Sequence, residues 1–317
     1  MYCRWWMSYD EGLSELGEGL HAYLQPDGGW GWSNAGLVLG EEQSLLVDTL
    51  FDLKLTATML ERMASVTGSR PIRILVNTHA NGDHCYGNQL VEGAEVIASE
   101  ASAAEMEELP PAALAALMAG DFGETTNAYL SDAFGPFDFN GIEPPRPTRT
   151  FTSSLSVEVD GRLVELIEVG PAHTAGDVLV HVPDAKAIFT GDILFIGGTP
   201  LIWNGPVENW IRACELIIEL DCEVIVPGHG PLTDHAGVTA VADYLRYVRS
   251  EAVARHEAGL SVFDAARDIE LGPYEDWLDW ERIVINVDSI YRELEPDRKP
   301  THILDLFRLM AELKLHK

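Results

Sequence analysis

Residues 72–87 read Ile72-Arg-Ile-Leu-Val76-Asn-Thr-His79-Ala-Asn81-Gly-Asp83-His84-Cys-Tyr-Gly87, and the stretch changes character halfway along. Ile72 to Val76 is a short aliphatic, β-branched run of the kind that forms a buried strand. It stops at Asn77-Thr78. Four side chains able to bind a metal, His79, Asn81, Asp83 and His84, then follow within six residues. Asn81-Gly82 has turn chemistry, which lets His79, Asp83 and His84 face one space at the strand end. The stretch alone favours metal binding, with a polar turn meeting only water as the competing reading.

Working outward, the neighbouring segments predict a layered α/β domain. His21–Gln25, Ala35–Leu39 and Ser44–Val47 read as strands, the last ending in Asp48-Thr49. Asp48 either orients the His79–His84 loop or serves as an ordinary turn or cap residue. Leu53, Leu55, Met59, Leu60 and Met63 place an apolar stripe on a helix over 53–66, which Gly68 ends. Glu95–Ala98 is a further strand. The order strand, helix, strand, loop, strand argues for a sheet covered by helices.

Residues 99–147 form an insertion: Ala-rich, acidic helices broken at Pro110-Pro111, then an irregular stretch rich in Gly and Pro. It is either a lid or a surface cover, and Phe122, Tyr129, Phe134, Phe137 and Phe139 either line a pocket or anchor it. Strands resume as a hairpin, Leu155–Val159 and Leu163–Val169, across Asp160-Gly161. Val178–Val182, Ala187–Phe189 and Glu223–Val226 are strands, and a helix covers 206–220 with a proline at its start. Beyond about 235 the chain is helical, at 238–258, 262–269, 281–293 and 301–315. We therefore expect a catalytic body over 1–235 and a helical C-terminal extension over 236–317.

Composition narrows the function classes. The 317 residues are 46% hydrophobic and 23% charged, which describes a globular chain. Acidic residues outnumber basic ones 51 to 21, for a net charge of −30, and no dense basic run exists. Such a surface repels nucleic acid. Cysteines 3, 85, 214 and 222 show no paired spacing, so free thiols in a reducing, cytoplasmic setting are expected. Neither a signal-peptide core nor a membrane-length apolar run is present, so no membrane partner is expected. Trp5, Trp6, Trp30 and Trp32 suit either a pocket edge or a homodimer contact.

The loop gains meaning when four strand ends are set side by side. His79-Ala-Asn81-Gly-Asp83-His84, His173, Asp192 and His229 each follow an aliphatic strand, and each lies in a loop with glycine. In α/β sheets, sites assemble at strand ends. Nitrogen and oxygen donors without thiolates suit zinc, iron or manganese rather than a thiolate-rich structural site.

With these motifs the chain resembles the metallo-β-lactamase superfamily over roughly residues 20–235. The resemblance implies a four-layer αβ/βα sandwich with two metal sites in a cleft at one edge. It implies His79, Asn81 and His173 at the first site, Asp83, His84 and His229 at the second, and Asp192 between the two ions. Asn81 stands where the family's His-x-His-x-Asp-His pattern has its second histidine. A neutral amide oxygen is a weaker donor than imidazole, so the sites should be unequal, with Asp83, His84 and His229 filling first. The implied chemistry is hydrolysis of an ester-type carbonyl (thioester, lactone or amide) in a small-molecule substrate. Asp83 would orient the water or carry its proton. Two competing readings share the fold: an iron-dependent oxygenase, and a non-catalytic, metal-stabilised binding protein.

Overall fold

A computed structural model describes residues 9–108 and 110–316. Strands β1 (Gly12–Gly17), β2 (Leu20–Leu24), β3 (Ala35–Leu39) and β4 (Ser44–Val47) lead into helix α1 (Leu53–Thr67). Next come β5 (Ile72–Val76), the single-turn α2 (Gly82–Cys85) and β6 (Glu95–Ser99). The insertion holds α3 (Glu100–Glu108), α4 (Pro111–Met118) and α5 (Glu124–Phe134). The second half runs β7 (Arg149–Phe151), β8 (Ser154–Val159), β9 (Arg162–Glu168), β10 (Val178–Val182), β11 (Ala187–Phe189), α6 (Val207–Glu219) and β12 (Val224–Val226). Helices α7 (His235–Glu257), α8 (Val262–Asp268), α9 (Ile283–Leu294) and α10 (Ile303–Leu315) complete it.

The strands form two sheets, β1 to β7 in sequence order and β12-β11-β10-β9-β8. Alternation along each strand decides what lies on each face. Val38, Leu45, Val47, Val76 and Ile97 from the first sheet meet Val164, Leu166, Val178, Val180 and Phe189 from the second. The opposite face of the first sheet, with Leu37, Leu46 and Leu75, packs on Met59 and Met63 of α1. The outer face of the second, with Leu179, Ile188 and Ile225, packs on Trp210, Ile217, Val241 and Leu245 of α6 and α7. The result is the expected four-layer sandwich. Asp52 caps α1 by accepting from the Leu55 amide at 2.7 Å. Asp160 and Gly161 both take positive φ, the geometry of a two-residue hairpin turn.

Three elements depart from the sequence expectation. β1 and β7, the edges of the first sheet, were not expected as strands; edge strands need no fully apolar face, and only Gly12 of β1 and Phe151 of β7 are buried. Within the stretch expected to be irregular, α5 is a regular helix that buries Thr126, Tyr129, Leu130, Ala133 and Phe134 on one stripe. Aromatic residues of α5 and of the segment after it anchor the insertion: Phe134, Phe137 and Phe139 all contact the Phe51 ring, and Phe134 and Tyr129 reach Phe307 of α10. Trp30 and Trp32 join this aromatic group. Cys3, Trp5 and Trp6 lie outside the described residues. Cys85, Cys214 and Cys222 are free and buried. Among the described residues no helix is long and apolar enough to cross a membrane.

The register gathers the functional loops at one edge. β4 and β5 are parallel, with Val47 opposite Val76, so Asp48 and Thr78 emerge together. β11 and β12 are parallel, with Phe189 opposite Val226, so Asp192 and His229 emerge together. β10 runs antiparallel to β11, which brings its preceding loop, with His173, to the same edge. Two backbone bonds cross between the sheets there: Val178 donates to the Thr78 carbonyl at 2.8 Å, and Asn34 to the Gly228 carbonyl at 2.7 Å.

The sheets approach closely where the Phe189 ring covers Gly36, so that a methyl group on Gly36 would lie 2.3 Å from that ring. Gly36→Ala should therefore destabilise the fold by about 1–3 kcal/mol through overpacking. Reversible denaturant unfolding measures this, and an unchanged midpoint would contradict the packing described.

Candidate metal centre

The site begins with a buried carboxylate outside the cluster itself. Asp48, at φ 62° just past β4, accepts from the Thr78 amide and the Thr78 hydroxyl, each at 2.7 Å, and from His84 Nδ1 at 2.9 Å. Because the Thr78 hydroxyl donates to Asp48, its free lone pairs accept from His79 Nδ1 at 3.0 Å. His173 Nδ1 donates to the Leu201 carbonyl at 2.6 Å. In all three rings the Nδ1 proton is committed, so each presents its Nε2 lone pair to the centre. Asp48 thus takes the orienting role.

All seven residues expected at the site come together. Asp192 lies between the histidines, at 3.0 Å from His84 Nε2, 3.3 Å from His173 Nε2, 3.4 Å from His229 Nε2 and 3.8 Å from His79 Nε2. Asp83 lies 3.3 Å from His229 Nε2 and 3.9 Å from His84 Nε2. Asn81 Oδ1 is 2.7 Å from His173 Nε2. Two groups have ligand atoms within mutual reach: Asp83, His84 and His229, and His79, His84 and Asp192. The first matches one expected site. In the second, His84 and Asp192 accompany His79, while His173 stands beside Asn81.

A divalent cation fits these residues. His79 Nε2, His84 Nε2 and Asp192 Oδ1 are buried without a hydrogen-bond partner. His84 and Asp192 are 3.0 Å apart yet misaligned for a hydrogen bond, as atoms are when both aim at a third point. The charges tell the same story. Burial pushes the His84 pKa down, but Asp192, Asp48 and Asp83 reverse this and hold it well above the usual value. Burial likewise opposes a proton on His229, and Asp192 and Asp83 still raise it to about 9. The buried carboxylates demand positive charge. Burial holds His79 and His173 low, His173 to about 4, so both are neutral donors. A neutral His173 with its proton on Nδ1 places a lone pair against Asn81 Oδ1, two acceptors that a nearby cation or a turned amide would reconcile.

The supporting residues explain how the loops hold this arrangement. Asn34 Nδ2 donates to the Pro227 and Gly230 carbonyls at 3.0 and 2.8 Å, clamping the His229 loop. The Ser33 hydroxyl donates to the Asp83 carbonyl, and Phe195 stacks on the His229 ring at 5.0 Å and 7°. Gly228 permits the approach of Asp192: a Cβ there would lie 2.1 Å from Oδ1. Asn34 had a weak sequence signal, a polar residue opening a strand; the Leu201 carbonyl had none. Cys85 donates to the Asn81 carbonyl at 3.2 Å, and burial pushes its thiol pKa well up, which leaves it inert. Among the remaining histidines, His181 pairs with Glu165, His256 with Glu295, and His302 caps α10.

Comparison with known proteins agrees with this geometry. A sequence model of the metallo-beta-lactamase superfamily matches residues 28–229. The chain is 26% identical over 217 residues to the acyl-coenzyme A thioesterase MBLAC2 of Gallus gallus, covering 62% of this chain and 72% of that protein. It is 38% identical over 56 residues to a hydroxyacylglutathione hydrolase of Brucella anthropi, 18% of this chain and 22% of that one. The solved structure of the sec-alkylsulfatase Pisa1 from Pseudomonas sp. superposes with TM-score 0.68 at 17% identity, over 91% of this chain and 51% of that one. Two helix-covered sheets, a His- and Asp-rich edge and the family match over the same residues lead to one conclusion: the chain belongs to the metallo-β-lactamase superfamily and is a hydrolase of that fold.

Proposed function

We propose that the chain hydrolyses an ester-type carbonyl in a small molecule, a thioester first among them, with zinc as its metal. The convergence of Asp83, Asp192 and four histidines, with His79 Nε2, His84 Nε2 and Asp192 Oδ1 buried and unpaired, carries this reading. The thioesterase relative supports the thioester. His79, Asn81 and His173 would hold one ion, Asp83, His84 and His229 the other, and Asp192 would stand between them. Bound zinc would supply Lewis acidity and lower the pKa of its water to about 7.

The chain's own groups divide the remaining work. Asp83 has the most exposed side chain of the ion-paired cluster, at 12% against 0–4% for Asp192 and the histidines, so it faces what enters. Burial raises its pKa, but His84 and His229 lower it below the usual carboxylate range. It is ionised at neutral pH and can orient water and accept its proton. Asp192 stays ionised: burial acts against it, and His229, His84 and His79 outweigh burial. The net charge of −30 disfavours a polyanionic thiol carrier relative to a neutral one through long-range repulsion.

Asp83→Ala should lower kcat/KM on a responsive thioester by roughly 10²–10⁴-fold while the fold is retained. The panel should hold coenzyme A thioesters, neutral short-thiol thioesters, lactones and β-lactams. Absence of metal-dependent turnover on every member would overturn the proposal. The unequal donors predict a second outcome: zinc leaves in two steps under mild chelation, and Asn81→His strengthens the weaker one by about tenfold or more. Metal content against chelator concentration measures it; two tight, equal ions in the unaltered chain would contradict it.

A further inference from the structure

We infer that Asn286 of α9 is a positioning residue for His173, so that the C-terminal helices help set one half of the metal centre. This rests on the metal-centre reading above. Asn286 is fully buried and uses its whole amide on surrounding groups. Its Oδ1 accepts from the Ile202 amide at 2.9 Å, and its Nδ2 donates to the Pro200 carbonyl at 2.8 Å and the Tyr244 hydroxyl at 2.9 Å. The two loop bonds bracket Leu201, whose carbonyl accepts the His173 Nδ1 proton at 2.6 Å.

The same segment is pinned on both sides. Arg282 and Arg292 each donate at 3.0 Å, to the Thr199 and Trp203 carbonyls. On the other side, the amides of Trp203 and Asn204 donate to the His173 carbonyl at 3.1 and 3.2 Å. Residues 199–205 thus form a strap whose inner edge fixes His173 and whose outer edge is gripped by Arg282, just before α9, and by Asn286 and Arg292 of α9. Asn286 is central, because without it a buried amide and a buried carbonyl flanking Leu201 lose their partners. A carbonyl on Nδ1 fixes a ligand's tautomer and ring angle, and loss of such support typically weakens metal binding 10–100-fold.

Full-length Asn286→Ala, His173→Ala, the double variant and Tyr244→Phe, titrated with zinc and cobalt(II) against a chromophoric chelator, test this. Thermal melting establishes which variants are folded. Asn286→Ala should weaken one binding step by about tenfold or more, shift the cobalt ligand-field bands, and add nothing in the His173→Ala background. Tyr244→Phe removes the Asn286 contact that faces away from the strap and should leave both steps unchanged. Additive losses in the double variant, or equal losses in Asn286→Ala and Tyr244→Phe, would overturn the positioning role while the metal reading stands. If His173→Ala changes no step, the assignment of His173 as a ligand fails, and the role of Asn286 with it. Should Asn286→Ala not fold, Arg292→Met releases the Trp203 carbonyl and carries the same comparison, with a smaller loss in the same step.

Discussion

Three buried carboxylates, Asp48, Asp83 and Asp192, lie 2.9, 3.9 and 3.0 Å from the ring nitrogens of His84, and the architecture at this edge answers to their charge. An isolated carboxylate in a protein interior is costly unless positive charge or several hydrogen bonds compensate it. Asp48 gets its compensation from Thr78 and His84. Asp192 faces Nε2 of His79, His84 and His173, whose Nδ1 protons are already committed, so imidazole alone leaves the charge unbalanced. Either protons settle on His84 and His229 or a cation occupies the centre. That requirement explains why parallel strands end together here, why Gly228 has no side chain, and why Asn34 stitches the two sheets across the opening.

The cluster was legible in the sequence because residue types able to bind a metal are chemically distinctive and each followed an apolar strand. His79, Asn81, Asp83, His84, His173, Asp192 and His229 could be selected by type and by context, and the structure places all of them in one cluster. The central strands were legible for a related reason: a strand such as Ala187–Phe189 is buried on both faces and so is apolar throughout. Edge strands β1 and β7 escaped notice because an edge tolerates polar residues. Helix α5 was hidden by its flanking glycines, although the stripe from Thr126 to Phe134 is regular. What could not be read at all were the backbone partners. The Leu201 carbonyl and the strap around it depend on tertiary folding, and only the structure connects Asn286 to His173.

The two halves of the site are built differently. Asp83 and His84 sit on one helical turn, with His84 locked by Asp48, and His229 is stacked on Phe195. His79 is held through a hydroxyl relay, His173 through a loop carbonyl, and Asn81 offers an amide beside it. The half with His79, Asn81 and His173 is therefore the adjustable one. Its donor strength depends on Asn81 and its geometry on the C-terminal helices, whose apolar residues share one continuous core with the second sheet. Reaction preference within an otherwise common architecture is most easily altered at such a place, because changing it leaves the better-braced ligands untouched.

We infer that the His and Asp cluster is a metal centre with unequal halves. Zinc-edge anomalous diffraction from crystals of the chain purified without chelator and supplied with limiting zinc tests it most directly. A strong peak bounded by Asp83, His84 and His229 is expected, with a weaker one beside His79, Asn81 and His173. No anomalous peak within the cluster, or two peaks of equal occupancy at limiting zinc, would contradict it.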